Sequence, residues 1–208
     1  CGPGQICALP ASIAVPAASI ALQPHATVNQ TGNPPIDWDP ATGRNIVWSV
    51  ELGGETFGRP VAAGGVVYVG TDNARKVNPA FVDECGVLMA FRATDGAFLW
   101  QDVAPRVKRG LREFLLPSTT SAPYVDGDRL YYLTAECQLR CLDFRGFRDG
   151  ANDGRNDGPT KDEPFQDHRA ADIVWELDLC ASLGVFPHEA CNSEVLPLGD
   201  LLVVCTAN

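Results

Sequence analysis

At 208 residues and 45% hydrophobic side chains, the chain is long enough for one sizeable domain and ordinary in composition for a soluble fold. Its net charge of −10 and pI near 4.6 exclude nucleic acid and anionic lipid as main partners, because both polyanions would be repelled. Its cysteines, Cys1, Cys7, Cys85, Cys137, Cys141, Cys180, Cys191 and Cys205, include no C-x-x-C pair, which leaves a four-thiolate zinc site unsupported and excludes covalent c-type haem in this chain.

The first element in chain order is an arm, residues 1–43, carrying Pro3, Pro10, Pro16, Pro24, Pro34, Pro35 and Pro40. That proline density predicts an extended segment lying on something else, not a domain. Its apolar stretch "ALPASIAVPAASIAL" is too short to span a bilayer and is interrupted by Pro10 and Pro16, so no transmembrane helix is expected. Cys1 followed by Gly2 is a candidate lipidated N-terminus of a bacterial lipoprotein; a simple cleavage boundary is the alternative.

From residue 44 to 208 the sequence repeats. "DPATGRNIVW" ends on Trp48, "AFRATDGAFLW" ends on Trp100, and "CLDFRG" followed after an insertion by "DIVWELDL" supplies Trp175. Three further stretches, "RPVAAGGVVYVGT", "SAPYVDGDRLYYLT" and "SEVLPLGDLLVVCT", are each a Gly turn followed by a β-rich strand ending in Thr71, Thr134 and Thr206. The unit therefore reads as four short antiparallel strands with an Asp-x-x-Thr-Gly turn before the Trp strand, the pattern of a β-propeller blade. Spacing beyond the roughly 40–50 residues of a compact blade is assigned to insertions at 72–84 and 147–171, since lengthening a loop costs little while breaking a ladder costs hydrogen bonds. The one helix candidate is "RVKRGLREFL" at 106–115.

The spacing Ala90-x5-Gly96-x3-Trp100 resembles the tryptophan-docking motif of PQQ-type β-propeller repeats, and residues 44–208 together are similar to the PQQ-binding-like propeller proteins. In the second unit Cys141 stands in the place of the motif's Ala, and Gly146 is separated from Trp175 by the acidic insertion. The fold class expected is all-β: a partial β-propeller of about two blades and the start of a third. The resemblance implies that Trp48, Trp100 and Trp175 are structural, each packing on a neighbouring blade's turn.

Quinoprotein dehydrogenases of similar sequence hold PQQ over a vicinal Cys-Cys pair, stack it on Trp and bind Ca²⁺ through carboxylates. This sequence has no adjacent cysteines, and its tryptophans apart from Trp38 are taken by the docking motif. PQQ is therefore not expected, no catalytic residue is assigned, and no cofactor is required. Calcium is the exception. "DFRGFRDGANDGRNDGPTKDE" holds Asp143, Asp149, Asp153, Asp157 and Asp162, and Asp149, Asp153 and Asp157 each precede a Gly that can bend the chain around an ion. These three are the candidate Ca²⁺ ligands, with a solvated acidic loop as the alternative, because the spacing is not that of an EF-hand. His188 reads as a structural histidine at a blade rim, and the basic run at 106–112 as a solvated loop.

The wide cysteine spacing predicts disulfides in an oxidising compartment, with buried free thiols as the alternative. Cys180 and Cys191 flank a loop short enough to close between strand ends, and Cys137 with Cys141 is a second candidate pair across a tight turn. The expected protein is periplasmic or extracellular and non-catalytic, a scaffold or accessory subunit binding other protein subunits. It would touch a membrane only through a partner or a lipidated Cys1. A PQQ-dependent oxidoreductase and a secreted calcium- or sugar-binding module are the alternatives. Alignment of "LGDLLVVCTAN" with "DGDRLYYLTAE" predicts a third unit continuing past Thr206, in a longer chain or covered by another subunit, so that residues 1–208 alone would not be a stable monomer.

Overall fold

The computed structural model describes residues 6–10, 35–82, 84–107, 118–153, 169–187 and 190–206, the first of these as backbone. Strand β1 (Ile6–Pro10) lies in the proline-rich arm. The first blade is a four-stranded antiparallel sheet of β2 (Val61–Ala63), β3 (Val66–Asp72), β4 (Cys85–Arg92) and β5 (Phe98–Pro105), in that spatial order. The second repeats it with β6 (Tyr124–Asp126), β7 (Arg129–Leu133), β8 (Gln138–Asp143) and β9 (Ile173–Asp178). A short helix, α1 (Leu179–Leu183), follows, and then β10 (Leu196–Leu198) and β11 (Leu201–Cys205).

β10 and β11 form the third unit's hairpin, and β1 pairs antiparallel with the free side of β11, from Ile6 opposite Cys205 to Pro10 opposite Leu201. The arm is thus not wholly separate from the propeller: it supplies an edge strand. Pro10 is tolerated there because an edge strand's outer N–H groups have no ladder to join.

The two blades match residue for residue at the docking motif. Ala90 sits opposite Trp100 and Cys141 opposite Trp175, and a bulge follows each pair, between Ala90 and Phe91 and between Cys141 and Leu142. The strands are short, so side chains must be buried on both faces to form a core, and period two sorts them. From β4, Leu88 and Ala90 point toward the second blade, where Leu130, Tyr132 and Leu142 meet them. Val87, Met89 and Phe91 point the other way, onto Val50 and Leu52. In the second blade Leu133 and Leu139 face the third unit, packing with Leu179, Val195 and Val204.

Most of the 106–115 candidate lies outside the described residues; its first residue, Arg106, is paired with Glu84 at 3.6 Å. A helix among the described residues that the sequence reading did not anticipate, α1, is fixed by its ends. The Asp178 carboxylate accepts from the Ala181 amide at 3.0 Å, and Gly184 closes the C-terminus with φ 65°.

Candidate functional site

Four constellations are built where the blades meet. The first is the tryptophan dock. Trp100, fully buried on β5, donates its Nε1–H to the Phe144 carbonyl at 3.1 Å, and its ring lies over Gly146 of the second blade. Gly146 has φ 56°, and a Cβ there would come within 2.6 Å of the Ala170 carbonyl oxygen and 3.1 Å of the indole, so both the conformation and the closeness require glycine. Trp48 does the same one blade earlier, donating to the Ala93 carbonyl at 2.8 Å with its ring against Gly96 (φ 71°). Tyr68 and Phe144 complete the aromatic layer around Trp100. Trp175 is half-buried and packs on Tyr131.

The second constellation is a charge network between the blades. Arg140 of β8 is almost fully buried. It donates to both Asp102 oxygens from the first blade, at 2.9 and 3.0 Å, and to Glu176 at 2.7 Å. The Tyr132 hydroxyl donates to the same Asp102 at 2.5 Å. Burial and the Asp102 charge push the Tyr132 phenol well above its usual value. Burial works against the Arg140 charge, but Asp102, Tyr132 and Glu176 outweigh it and hold the guanidinium protonated. Each partner compensates another, so the group is a lock between blades; removing one member would strand a buried charge at a cost of about 3–5 kcal/mol.

The third is acidic. Asp143 closes β8, Asp149 ends a single 3-10 turn (Gly146–Asp149), Asp153 follows, and ligand oxygens of these three lie within 4.8 Å of one another. A fourth carboxylate, Asp172, stands just before β9 and is 1% exposed. Its Oδ2 accepts from the Asp153 amide at 2.8 Å, while its Oδ1 is buried without a hydrogen bond. Burial and the charges of Asp153, Asp143 and Asp149 raise Asp172, and burial raises Asp143. The Ala151 amide and Arg145 hold Asp149 low. Of the three carboxylates expected from the sequence, Asp149 and Asp153 converge, and Asp157 lies outside the described residues. Asp143 completes the group, and Asp172 holds the Asp153 amide beside it. Their signal was available: they flank the insertion where β8 leaves and β9 returns.

The fourth is a sulfur cluster. Cys137, Cys180 and Cys191 are buried together beneath the third unit, and all are reduced thiols here. The closest sulfurs are those of Cys137 and Cys191, 3.2 Å apart, in place of the expected Cys180–Cys191 pair. Cys180 falls on α1, not at a strand end, and approaches the Glu136 carbonyl. The Cys137–Cys141 pairing is not formed, because residues 138–141 are extended strand and at about 3.3 Å per residue separate the two Cα atoms beyond bridging distance. Cys1 and His188 lie outside the described residues.

Nothing in these constellations matches a quinone site. Trp100 and Trp48 are committed to their docks, and Cys137 precedes β8 while Cys141 lies within it, separated by extended strand, so these residues do not form the stacked Trp and vicinal thiol pair that would hold PQQ.

Four-stranded antiparallel sheets, each receiving the preceding unit's tryptophan on its own turn, define a β-propeller of PQQ-like repeats. The family model for the outer membrane protein assembly factor BamB matches residues 19–184, most of the chain. The chain belongs to this PQQ-repeat family. Comparison with curated proteins gives no significant match. Among the described residues no helix is long and apolar enough to cross a membrane.

Proposed function

We propose that this protein is an exported, non-catalytic propeller that works as an accessory subunit by binding other proteins, in the envelope or outside the cell. The observation that carries the reading is the surface of the segment leading into the first blade. Ile36, Trp38 and Val47 are 102%, 66% and 84% exposed, an unusual outlay of large apolar side chains on an otherwise charged chain. By contrast, Asp102, Tyr132, Arg140 and Glu176 between the two blades are consumed in holding them together. The family's description as an outer membrane assembly factor supports a role in a complex.

Export has its own support in the sulfur cluster. Cys137 and Cys191 are close enough to join with a small side-chain movement. Two thiols would lose two protons and pass two electrons to a disulfide donor of the envelope, giving one S–S bond. The test is to fractionate cells producing the full chain with a photo-crosslinking residue at position 38 or, as a control, at exposed position 51. The protein is expected in the envelope or medium, with the Cys137–Cys191 peptide found under non-reducing conditions and discrete protein adducts from position 38 but not 51. Cytosolic location with every thiol alkylated without reductant would overturn export. Equal or absent adducts from the two positions would overturn the binding surface, and a quinone absorbance band would overturn the non-catalytic reading.

A further inference from the structure

The acidic constellation has features that a solvated loop does not need. Asp172 is sealed from water with Oδ1 unpaired, although burying a carboxylate oxygen without a partner is costly. It stands among three more carboxylates. Arg129 lies 2.9 Å from Asp143 and is shared with Asp128, and Arg145 lies 3.5 Å from Asp149. Four carboxylates against two guanidiniums leave at least two uncompensated negative charges at one spot, the charge of a divalent cation.

We propose that Asp143, Asp149 and Asp153 bind one Ca²⁺ where the insertion leaves and rejoins the second blade, with the buried Asp172 carboxylate, which holds the Asp153 amide, supporting them. The donor set is all oxygen, which suits a hard cation and not zinc or copper. Two ligands on one Ca²⁺, each at about 2.4 Å, can be at most about 4.8 Å apart, and the oxygens of Asp143, Asp149 and Asp153 already meet that limit. The carboxylates come from a strand end, a 3-10 turn and the loop after it, and a set drawn from different local structures suits the more adaptable Ca²⁺ better than Mg²⁺, which demands a near-ideal octahedron.

The ion would do structural work. Both ends of the insertion are already tied at this point: the Asp143 amide donates to the Asp172 carbonyl at 2.9 Å, and the Phe147 amide to the Ala170 carbonyl at 3.3 Å. The returning segment then runs along β5 of the first blade, where the Gln101 amide donates to the Arg169 carbonyl and the Ala171 amide to the Gln101 carbonyl, both at 2.9 Å. The turn that receives Trp100 is part of the same loop. Neutralising the four carboxylates therefore stiffens the seat of the tryptophan dock and couples calcium to the blade–blade interface.

The test uses the full chain, stripped with EDTA and titrated with CaCl2 alone by calorimetry, with thermal melts alongside. One Ca²⁺ per chain is expected, with a rise in Tm of several degrees and no comparable rise with MgCl2. Asp172→Asn and Asp149→Asn should each weaken binding at least tenfold, while Asp200→Asn, an exposed acid on the third unit, should leave it unchanged. If Asp172→Asn does not fold, exposed Asp149→Asn decides. Absence of binding at millimolar Ca²⁺, or unchanged affinity in Asp149→Asn, overturns the site. An equal response to Mg²⁺ overturns the choice of calcium.

Discussion

Cys141 shows how one substitution in a repeat changes local chemistry without changing its geometry. It occupies the place that Ala90 holds in the first blade, opposite the strand tryptophan and before a bulge, but brings a thiol against Tyr131 on the neighbouring strand. Burial pushes that thiol up to about 12, and burial together with the adjacent sulfur pushes the Tyr131 phenol to about 12. Both groups ionise more readily unfolded, near pH 9 and pH 10. A folded pKa raised above the unfolded one means the native state holds its protons longer. Stability from these groups is therefore intact below about pH 9 and is lost as pH rises toward about pH 12. Thermal melts from about pH 8 to about pH 11 should show Tm falling, and Cys141→Ala should fall less steeply because one of the two groups is gone. Parallel curves for the two proteins would mean the buried thiol does not contribute.

At the scale of the element, the tryptophan dock is the contact that makes two sheets into one body. Trp100 combines full burial, a hydrogen bond to Phe144 and contact with a glycine that cannot be replaced, so Trp100→Ala should cost about 3–5 kcal/mol in urea denaturation. Trp38, two-thirds exposed, should cost no more than about 0.5 kcal/mol. Equal losses would contradict the docking assignment. The dock was legible in the sequence because Ala90, Gly96 and Trp100 lie within eleven residues and each meets a distinct steric need. Ala90 leaves room opposite the indole, Gly96 takes a positive φ under a ring, and Trp100 is the ring that docks. The second unit was legible despite its insertion, since Cys141 and Trp175 meet in the register that Ala90 and Trp100 use. Helix α1 was hidden because five residues show no 3.6-residue period; only Asp178 and Gly184 at its ends announce it. Asp143 and Asp172 flank the insertion in the sequence, but it is the pairing of β8 with β9 that makes them neighbours. The sulfur contact was hidden for the same kind of reason: Cys137 and Cys191 are brought together by the packing of the third unit on the second blade, not by chain proximity.

For the molecule as a whole, the pairing of β1 with β11 joins the proline-rich arm to the third unit and gives the arm a role that composition alone did not reveal. Within residues 1–208, β1 is the strand that pairs with the outer side of β11 (Leu201–Cys205), whose sequence "LLVVC" is apolar and uncharged. Such an edge is a template for pairing with another chain. The contact is also among the most non-local in the fold, so it forms late and gains little from local propensity; its stability must come from the ladder and from the third unit already being in place. Removing residues 1–10 should therefore lower Tm and produce concentration-dependent self-association in light scattering relative to the full chain. The Trp100 and Arg140 contacts between the first two blades should persist, seen as an unchanged fluorescence spectrum of the buried indole. Restoring the edge with a charged residue, Val203→Lys, should reduce the association of the truncated protein without restoring its Tm, separating the loss of edge protection from the loss of ladder hydrogen bonds. A truncated protein that scatters and melts like the full chain would show that β1 neither covers nor stabilises β11.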